Sequence, residues 1–165
     1  MTNYYTGIGS RNTPPEILSL MSKIAIFLSK KNYILRSGGA NGADTSFSKF
    51  IDDNKKQIFL PWKGFNNNYN HKYPITEDAQ KMAKEFHPAW ENCSEGARKL
   101  HSRNCYQVLG YDLKTPSKFV ICWTPNGKLK GGTSTSLRIA KKNNIKIYNL
   151  AIEEDRKFCE EKING

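Results

Sequence analysis

Short apolar segments alternate with amphipathic, helix-like segments along most of this 165-residue chain. The segment YYTGI at residues 4–8 is typical of a short buried strand, and KFVICW at residues 118–123 has the continuous apolar run of a strand buried in a parallel sheet. Strands that alternate with helices in this way predict an α/β fold, a Rossmann-like parallel sheet with helices on both faces. The expected strands are residues 4–8, 33–37, 57–61, 118–123 and 145–150.

The helix predictions rest on capping residues and on the spacing of apolar residues. Thr13, Pro14 and Glu16 match the N-cap, first and third positions of a helix that runs to about Lys31. A second helix, over residues 45–53, is expected to bury its large apolar residues, Phe47, Phe50 and Ile51. The remaining helices are expected over residues 76–86, 95–109 and 152–162, with one more after the glycines at 131–132.

Three glycine-bearing turns follow strands in this sequence: GIGSR, SGGANGAD and GKLKGGTST. The carboxyl ends of parallel strands lie at one edge of a sheet, and ligands bind there beside the starts of the helices. A turn without side chains lets a phosphate approach the backbone N–H groups directly. One such turn is also common as an ordinary tight turn, whereas three at one sheet edge predict a phosphate-binding site.

Two common nucleotide-binding motifs do not fit the sequence. In GIGSRN, Asn12 stands where a dinucleotide fingerprint has its third glycine, and the second predicted strand ends in Arg36 and Ser37 rather than in an acid that holds a ribose. The chain also has no GxxxxGK[ST] segment. We therefore expect neither NAD nor FAD in the usual mode, nor a Walker-type NTPase, and no cofactor is predicted.

The net charge of +11 has two interpretations. It is typical of proteins with a phosphate-bearing partner. However, the sequence contains 20 Lys and 16 Asn but only 6 Arg. This composition is equally typical of a gene with AT-rich codons. The scarce arginines are more informative, because a planar guanidinium can form two parallel hydrogen bonds to one phosphate or carboxylate and a lysine ammonium cannot. Five of them lie in or beside the motifs of interest: Arg11, Arg36, Arg98, Arg103 and Arg138.

The cysteines and the hydropathy pattern point to a cytoplasmic protein. The four cysteines form no CxxC pair, so we expect reduced thiols and no metal site. No apolar run approaches the roughly 20 residues that span a bilayer, and the start resembles no signal peptide, so no membrane contact is expected. Residues 1–165 are predicted to form a single domain, in which the polar and aromatic stretch 61–92 is a loop or insertion region.

The motifs GIGSR, LRSGGANGAD, RN…VLG and GGTSTSLRIA, in this order, resemble the SLOG superfamily. This Rossmann-like group contains DNA-processing protein A, the Lonely Guy phosphoribohydrolases and the YspA- and YpsA-related proteins. The resemblance runs from Tyr4 to Asn149, with SGGAxGAD as its most specific element, and is greatest to the small YspA-related and phage-borne members. It implies glycine turns that bind a nucleotide-like ligand, and a homodimer for which residues 15–31 and 95–109 offer candidate faces.

The resemblance also implies a set of ligand-binding residues from four parts of the chain. They are Gly9, Ser10, Arg11, Ser37, Gly38, Gly39, Gly42, Asp44, Arg103, Asn104, Gly131, Gly132 and Thr133. Trp123 ends a strand close to the third turn and is added as a wall of the pocket. Asp44 has a second interpretation as a helix N-cap. Trp62 and Trp90 fit either base stacking or the core, and His101 is expected to be structural.

Three functions remain open on the sequence. The first is a protein that binds a nucleotide or a nucleotide-derived phosphorylated small ligand, to sense, sequester or process it. The second is a nucleotide N-glycosidic-bond hydrolase like the Lonely Guy enzymes. Arg138 stands where their PGGxGTxxE motif has the catalytic glutamate; Asp44 or Glu95 could replace that acid, but nothing in the sequence places either at the sugar. The third is a single-stranded DNA-binding protein like DNA-processing protein A.

Overall fold

The sheet determines the architecture of this protein. The computed structural model describes residues 1–165 and contains five parallel strands in the order β3-β2-β1-β4-β5. The strands are β1 (Asn3–Gly7), β2 (Tyr33–Ser37), β3 (Lys56–Ile58), β4 (Phe119–Cys122) and β5 (Lys146–Asn149). The strand order changes direction between β1 and β4, where Gly7 pairs with Ile121. In open α/β sheets this switch point is where ligands bind.

Helices cover both faces of the sheet, so the predicted Rossmann-like α/β fold is confirmed. They are α1 (Pro15–Lys30), α2 (Ala43–Ser48), α3 (Glu77–Phe86), α4 (Glu95–Leu109), α5 (Ser134–Lys142) and α6 (Glu153–Asn164). One core contains residues of α1, α2 and α6, such as Met21, Phe47 and Cys159. The other contains residues of α3, α4 and α5, such as Val108 and Leu137.

Local sequence signals explain the bounds of α4, which coincide with those predicted. The Ser94 hydroxyl accepts the Ala97 amide at 3.1 Å, which caps the start of the helix. Gly110 follows the helix with φ of +79°, a left-handed conformation in which glycine is favoured. α3 begins in the same way, because the Thr76 hydroxyl accepts the Ala79 amide at 3.2 Å. Each cap of this type stabilises a helix by about 1 kcal/mol.

Three local predictions were wrong. Thr13 does not cap α1: Pro14 holds the N-cap position, while the Thr13 hydroxyl donates to the Ser10 carbonyl at 2.6 Å. α2 covers Ala43–Ser48 rather than 45–53, because the chain leaves the helix to reach β3. Phe50 is consequently 63% exposed, whereas Ile51 occupies the core.

Arg36 belongs to the fold and not to the edge of the sheet where the three turns meet. Its guanidinium lies over the Tyr4 ring at 3.9 Å and donates to the Thr115 carbonyl at 2.6 Å, which ties β2 to the connection between α4 and β4. Burial lowers the pKa of Arg36 to about 10. The planar guanidinium of Arg36 thus serves packing within the fold.

The two helices expected as dimer faces differ in their surroundings. Ser102–Leu109 of α4 are buried within the chain, so most of that helix is not free to pair with a second copy. α1 keeps half-buried apolar residues such as Leu20 and Phe27. The homodimer therefore stays a prediction that rests on α1.

Among the six helices, none is long and apolar enough to traverse a lipid bilayer.

Candidate functional site

A cavity of about 710 Å³ opens at the carboxyl edge of the sheet, beside the switch point between β1 and β4. Segments that follow β1, β2, β3 and β4 contribute to its walls, and α4 closes one side. The three glycine turns therefore meet at one place. Nine of the predicted site residues line the cavity: Gly9, Ser10, Arg11, Asp44, Arg103, Asn104, Gly131, Gly132 and Thr133.

Five predicted site residues do not line the cavity, and four of these shape the glycine loop after β2. The Ser37 hydroxyl is buried and donates to the Gly7 carbonyl at 2.6 Å. Gly38 packs closely against Asp44 and Arg103, since a β-carbon on Gly38 would lie 2.8 Å from both Asp44 Oδ2 and Arg103 Cζ. Gly42, with φ of +85°, packs so closely on the first turn that a β-carbon would lie 2.8 Å from Arg11 Cα.

Gly39 faces the core rather than a ligand. Its φ is +74°, and a β-carbon there would lie 2.7 Å from Leu60 Cδ2 and 3.2 Å from Ile58 Cγ2. A larger residue at this position would therefore strain the fold instead of blocking the cavity. Gly39 is therefore not a contact residue of the cavity, whereas Gly132 lines it and has no atom within 4 Å of its β-carbon position.

Trp123 is not a wall of this cavity, which corrects the sequence prediction. Its side chain lines a separate cavity of about 620 Å³ that borders α1. Its backbone nevertheless shapes the first turn, because the Trp123 carbonyl accepts the Ser10 amide at 3.1 Å. The Trp123 side chain packs instead against the core formed with α1, α2 and α6. Trp62 and Trp90 do not line the main cavity either.

Arg103 is the most unusual group in the cavity wall. It lies in α4 and is 6% exposed. Its guanidinium donates to the neighbouring Asn104 side chain and lies 5.6 Å from the centre of the Phe65 ring. Its Nε is buried and has no hydrogen-bond partner. Burial lowers the pKa of Arg103, an effect that the Asp44 charge opposes. Buried N–H groups without partners are rare in proteins, so Arg103 stands out among the groups of the cavity wall.

Asp44 lies in the first turn of α2 and not at its N-cap, which is Gly42. Its Oδ2 accepts the Ala40 amide at 3.2 Å and so closes the glycine loop on itself. Burial raises the pKa of Asp44 to about 6, although Arg103 and hydrogen bonds favour the charged form. Asp44 is the only carboxylate that lines the cavity. Glu95, the other acid considered for catalysis, lies outside it.

Hydrogen bonds between α4 and the start of α5 position the third turn. The Asn104 side-chain amide donates to the Gly132 carbonyl at 2.5 Å. The Ser136 hydroxyl donates to the Asn104 carbonyl at 3.2 Å and to Gln107 Oε1 at 2.9 Å. The backbone of Gly131 and Gly132 is thereby held in the cavity wall, and a β-carbon on either glycine would meet no atom within 4 Å.

The structure adds lining residues that the sequence prediction missed. Gln107 lies four residues after Arg103 on α4, so helical spacing could have identified it. Lys130 directly precedes Gly131 within the third glycine turn and is exposed at the cavity. Phe65 and Asn66 come from the aperiodic stretch after β3, which carries no sequence signal for its position.

His101 lines the same cavity and has a defined hydrogen-bond partner. Its Nδ1 lies 2.8 Å from the Thr135 hydroxyl, and its ring centre lies 4.3 Å from that of His87. Burial and the nearby charges of His87, Arg103 and Arg138 lower the pKa of His101 to about 4. The imidazole is therefore neutral at physiological pH.

No protein-family model and no curated protein sequence matches this chain. Among solved structures, it is similar to DNA processing protein A from Helicobacter pylori, a protein described for its unique single-stranded DNA binding mode. The TM-score is 0.60 at 21% sequence identity, and the match covers 89% of this chain. The match spans only 64% of that protein's chain. At 21% sequence identity the similarity shows the class of fold alone. That class is the Rossmann-like α/β fold described above.

Proposed function

We propose that the cavity binds a nucleotide phosphate and that the nucleotide belongs to single-stranded DNA. The observation that carries the proposal is Arg103, whose guanidinium lies in the wall of a cavity bordered by the three glycine turns. A phosphate oxygen in the cavity would accept a hydrogen bond from this guanidinium, because guanidinium and phosphate form strong charge-assisted hydrogen bonds. The backbone N–H groups of Gly131 and Gly132, which also line the cavity, would supply further donors.

Three further features favour a DNA strand over a free ligand. Arg11 and Lys130 are exposed at the cavity, where they can contact neighbouring phosphates. Phe65, which lies beneath the Arg103 guanidinium, offers an aromatic surface of the type on which unpaired bases stack. The net charge of +11 adds long-range attraction for a polyanion. The fold similarity to a single-stranded DNA-binding protein supports the same class of ligand.

A free nucleotide is the second candidate, and the size of the cavity favours it. A volume of about 710 Å³ lies within the roughly 300–1,000 Å³ typical of small-molecule sites. In that case Asp44 would be the group that accepts a hydrogen bond from a sugar hydroxyl, in a ribonucleotide the 2′-hydroxyl that DNA lacks. The two candidates thus share the phosphate chemistry and differ in what Asp44 does.

Binding of a fluorescent oligodeoxythymidine, measured by anisotropy over a range of salt concentrations, tests the proposal. We expect log Kd to rise with log salt with a slope of about 2, since Arg11, Arg103 and Lys130 would neutralise three phosphates at about 0.7 per phosphate. Competition with thymidine monophosphate, AMP and duplex DNA identifies the ligand. If a mononucleotide displaces the oligonucleotide and itself binds with a low Kd, the free nucleotide is favoured as the ligand. Equal affinity for single-stranded and duplex DNA would contradict the proposal.

The pKa of Asp44 predicts the pH dependence of this binding. A phosphodiester keeps its charge between about pH 5 and pH 8, so its repulsion by Asp44 changes only as Asp44 ionises. Below the pKa of about 6, Asp44 is neutral and affinity is at its highest; as the pH rises above 6, affinity decreases. Asp44→Asn should therefore raise the affinity for the oligonucleotide at neutral pH on the order of five- to tenfold.

Comparison of wild type with Asp44→Asn across this pH range isolates the carboxylate from the histidines, because both proteins contain the same histidines. If Asp44→Asn instead weakens binding at every pH, Asp44 contacts the ligand directly. That result would favour a ribonucleotide over DNA.

A further inference from the structure

His87, Cys93 and His101 bring three metal-binding side chains together beside the cavity. One ligand atom from each residue lies within 4.8 Å of the others. All three side chains are half-buried, so an ion from solvent can reach them. The phosphate-binding groups do not include them, and only His101 is shared with the cavity wall. The phosphate proposal leaves His87 and Cys93 without a role.

The connection between α3 and α4 brings the three residues together. His87 directly follows the last residue of α3, Cys93 directly precedes the N-cap Ser94 of α4, and His101 lies in the second turn of α4. Trp90 holds the connection in place, since it is 9% exposed and its carbonyl accepts the Arg98 guanidinium at 3.1 Å. The cluster therefore rests on two packed helices and an anchored loop.

The hydrogen bonds of the cluster orient its donor atoms. The bond between His101 Nδ1 and the Thr135 hydroxyl, at 2.8 Å, leaves His101 Nε2 for a metal. Metal-bound histidines commonly donate their second ring nitrogen to such a partner. Cys93 Sγ lies 3.8 Å from each ring nitrogen of His87. His87 Nδ1 accepts the exposed Ala89 amide at 3.0 Å, and metal binding through Nδ1 would transfer that amide to water.

We infer that His87, Cys93 and His101 bind a transition-metal ion of the zinc type, with Cys93 as a thiolate. Bond lengths of about 2.0–2.3 Å place the ligand atoms of a tetrahedral site roughly 3.3–3.8 Å apart, so a small contraction of the present cluster suffices. Two imidazoles and one thiolate suit Zn²⁺ and Co²⁺. On binding, the Cys93 thiol releases its proton to solvent. Three protein ligands leave one position of the tetrahedron for water or for an atom of a bound molecule.

Titration of the metal-free protein with Co²⁺ tests the inference, because Co²⁺ reports its ligands spectroscopically. We expect one equivalent to produce a thiolate-to-cobalt charge-transfer band and intense visible bands of tetrahedral Co²⁺, both displaced by Zn²⁺. Cys93→Ser should abolish the charge-transfer band, and His87→Asn or His101→Asn should abolish tight binding. Thr135→Val should keep the band but weaken metal affinity about 10- to 100-fold.

His71→Asn is the matched control, since His71 lies outside the cluster and its replacement should leave the titration unchanged. Circular dichroism of each metal-free variant shows that the fold persists. Absence of the charge-transfer band in wild type, or an undiminished band in Cys93→Ser, would overturn the inference. The titration contains no nucleic acid, so neither result affects the proposal for the cavity.

Discussion

Replacement of Arg103 by methionine is expected to weaken oligonucleotide binding roughly 10- to 150-fold. Hydrogen bonds to charged groups contribute about 1.5–3 kcal/mol each, and every 1.4 kcal/mol corresponds to a factor of ten in Kd. Methionine keeps much of the apolar packing of the arginine side chain in α4, while it removes the guanidinium that faces the cavity. Arg103→Lys should also bind weakly, because lysine keeps the charge but loses the planar fork. Anisotropy gives the Kd values.

Two additional variants make this result interpretable. Arg156→Met removes the same charge from α6, on the opposite face of the sheet, and should change the affinity only through net charge. Removal of Arg103 leaves Asp44 buried without its neighbouring positive charge. If Arg103→Met loses stability in a thermal melt, the double variant with Asp44→Asn removes both charges and should fold. Equal affinity in wild type and a folded Arg103 variant would show that the phosphate binds elsewhere.

Gly132→Val is expected to lower the affinity by about tenfold or more while the protein remains folded. Its β-carbon would meet no atom within 4 Å, and its φ is not in the left-handed region, so the valine is compatible with the free protein. In the complex, however, the side chain would occupy the space through which a phosphate approaches the backbone N–H groups. A loss of 1.4 kcal/mol corresponds to tenfold in Kd. Anisotropy measures the affinity, and thermal melting measures the stability.

Gly96→Val is the matched control for this substitution. Gly96 lies in the first turn of α4, away from the cavity, and its β-carbon would come no closer than 3.8 Å to another residue. The two variants carry the same added side chain, so a difference in affinity between them reports the position alone. Unchanged affinity in Gly132→Val would mean that the third glycine turn does not contact the ligand.

Local signals in the sequence were sufficient for the fold. The continuous apolar character of β4 and the periodic spacing of Ile17, Met21 and Leu28 in α1 follow from burial, so they are visible in a short window of the sequence. The predicted bounds of α4 match those of the structure, where Ser94 and Gly110 cap the helix, and such capping depends on neighbouring residues only. The three glycine turns were predicted at one sheet edge because parallel strands end at the same edge.

Only the tertiary structure could assign the roles of individual side chains. Arg36 and Arg103 both lie in or beside the motifs that the sequence analysis singled out. In the structure, the Arg36 guanidinium packs on the Tyr4 ring, whereas Arg103 lines the cavity and its Nε has no hydrogen-bond partner. Trp123 stands next to the third turn in sequence order but its ring lines the cavity beside α1.

Phe65 reaches the cavity from a stretch without periodicity, and His87, Cys93 and His101 meet through the packing of α3 against α4. Sequence patterns record whether a residue is buried and which local structure it favours. The direction of a side chain and its distant neighbours depend on how the elements pack, and that information is distributed over the whole chain.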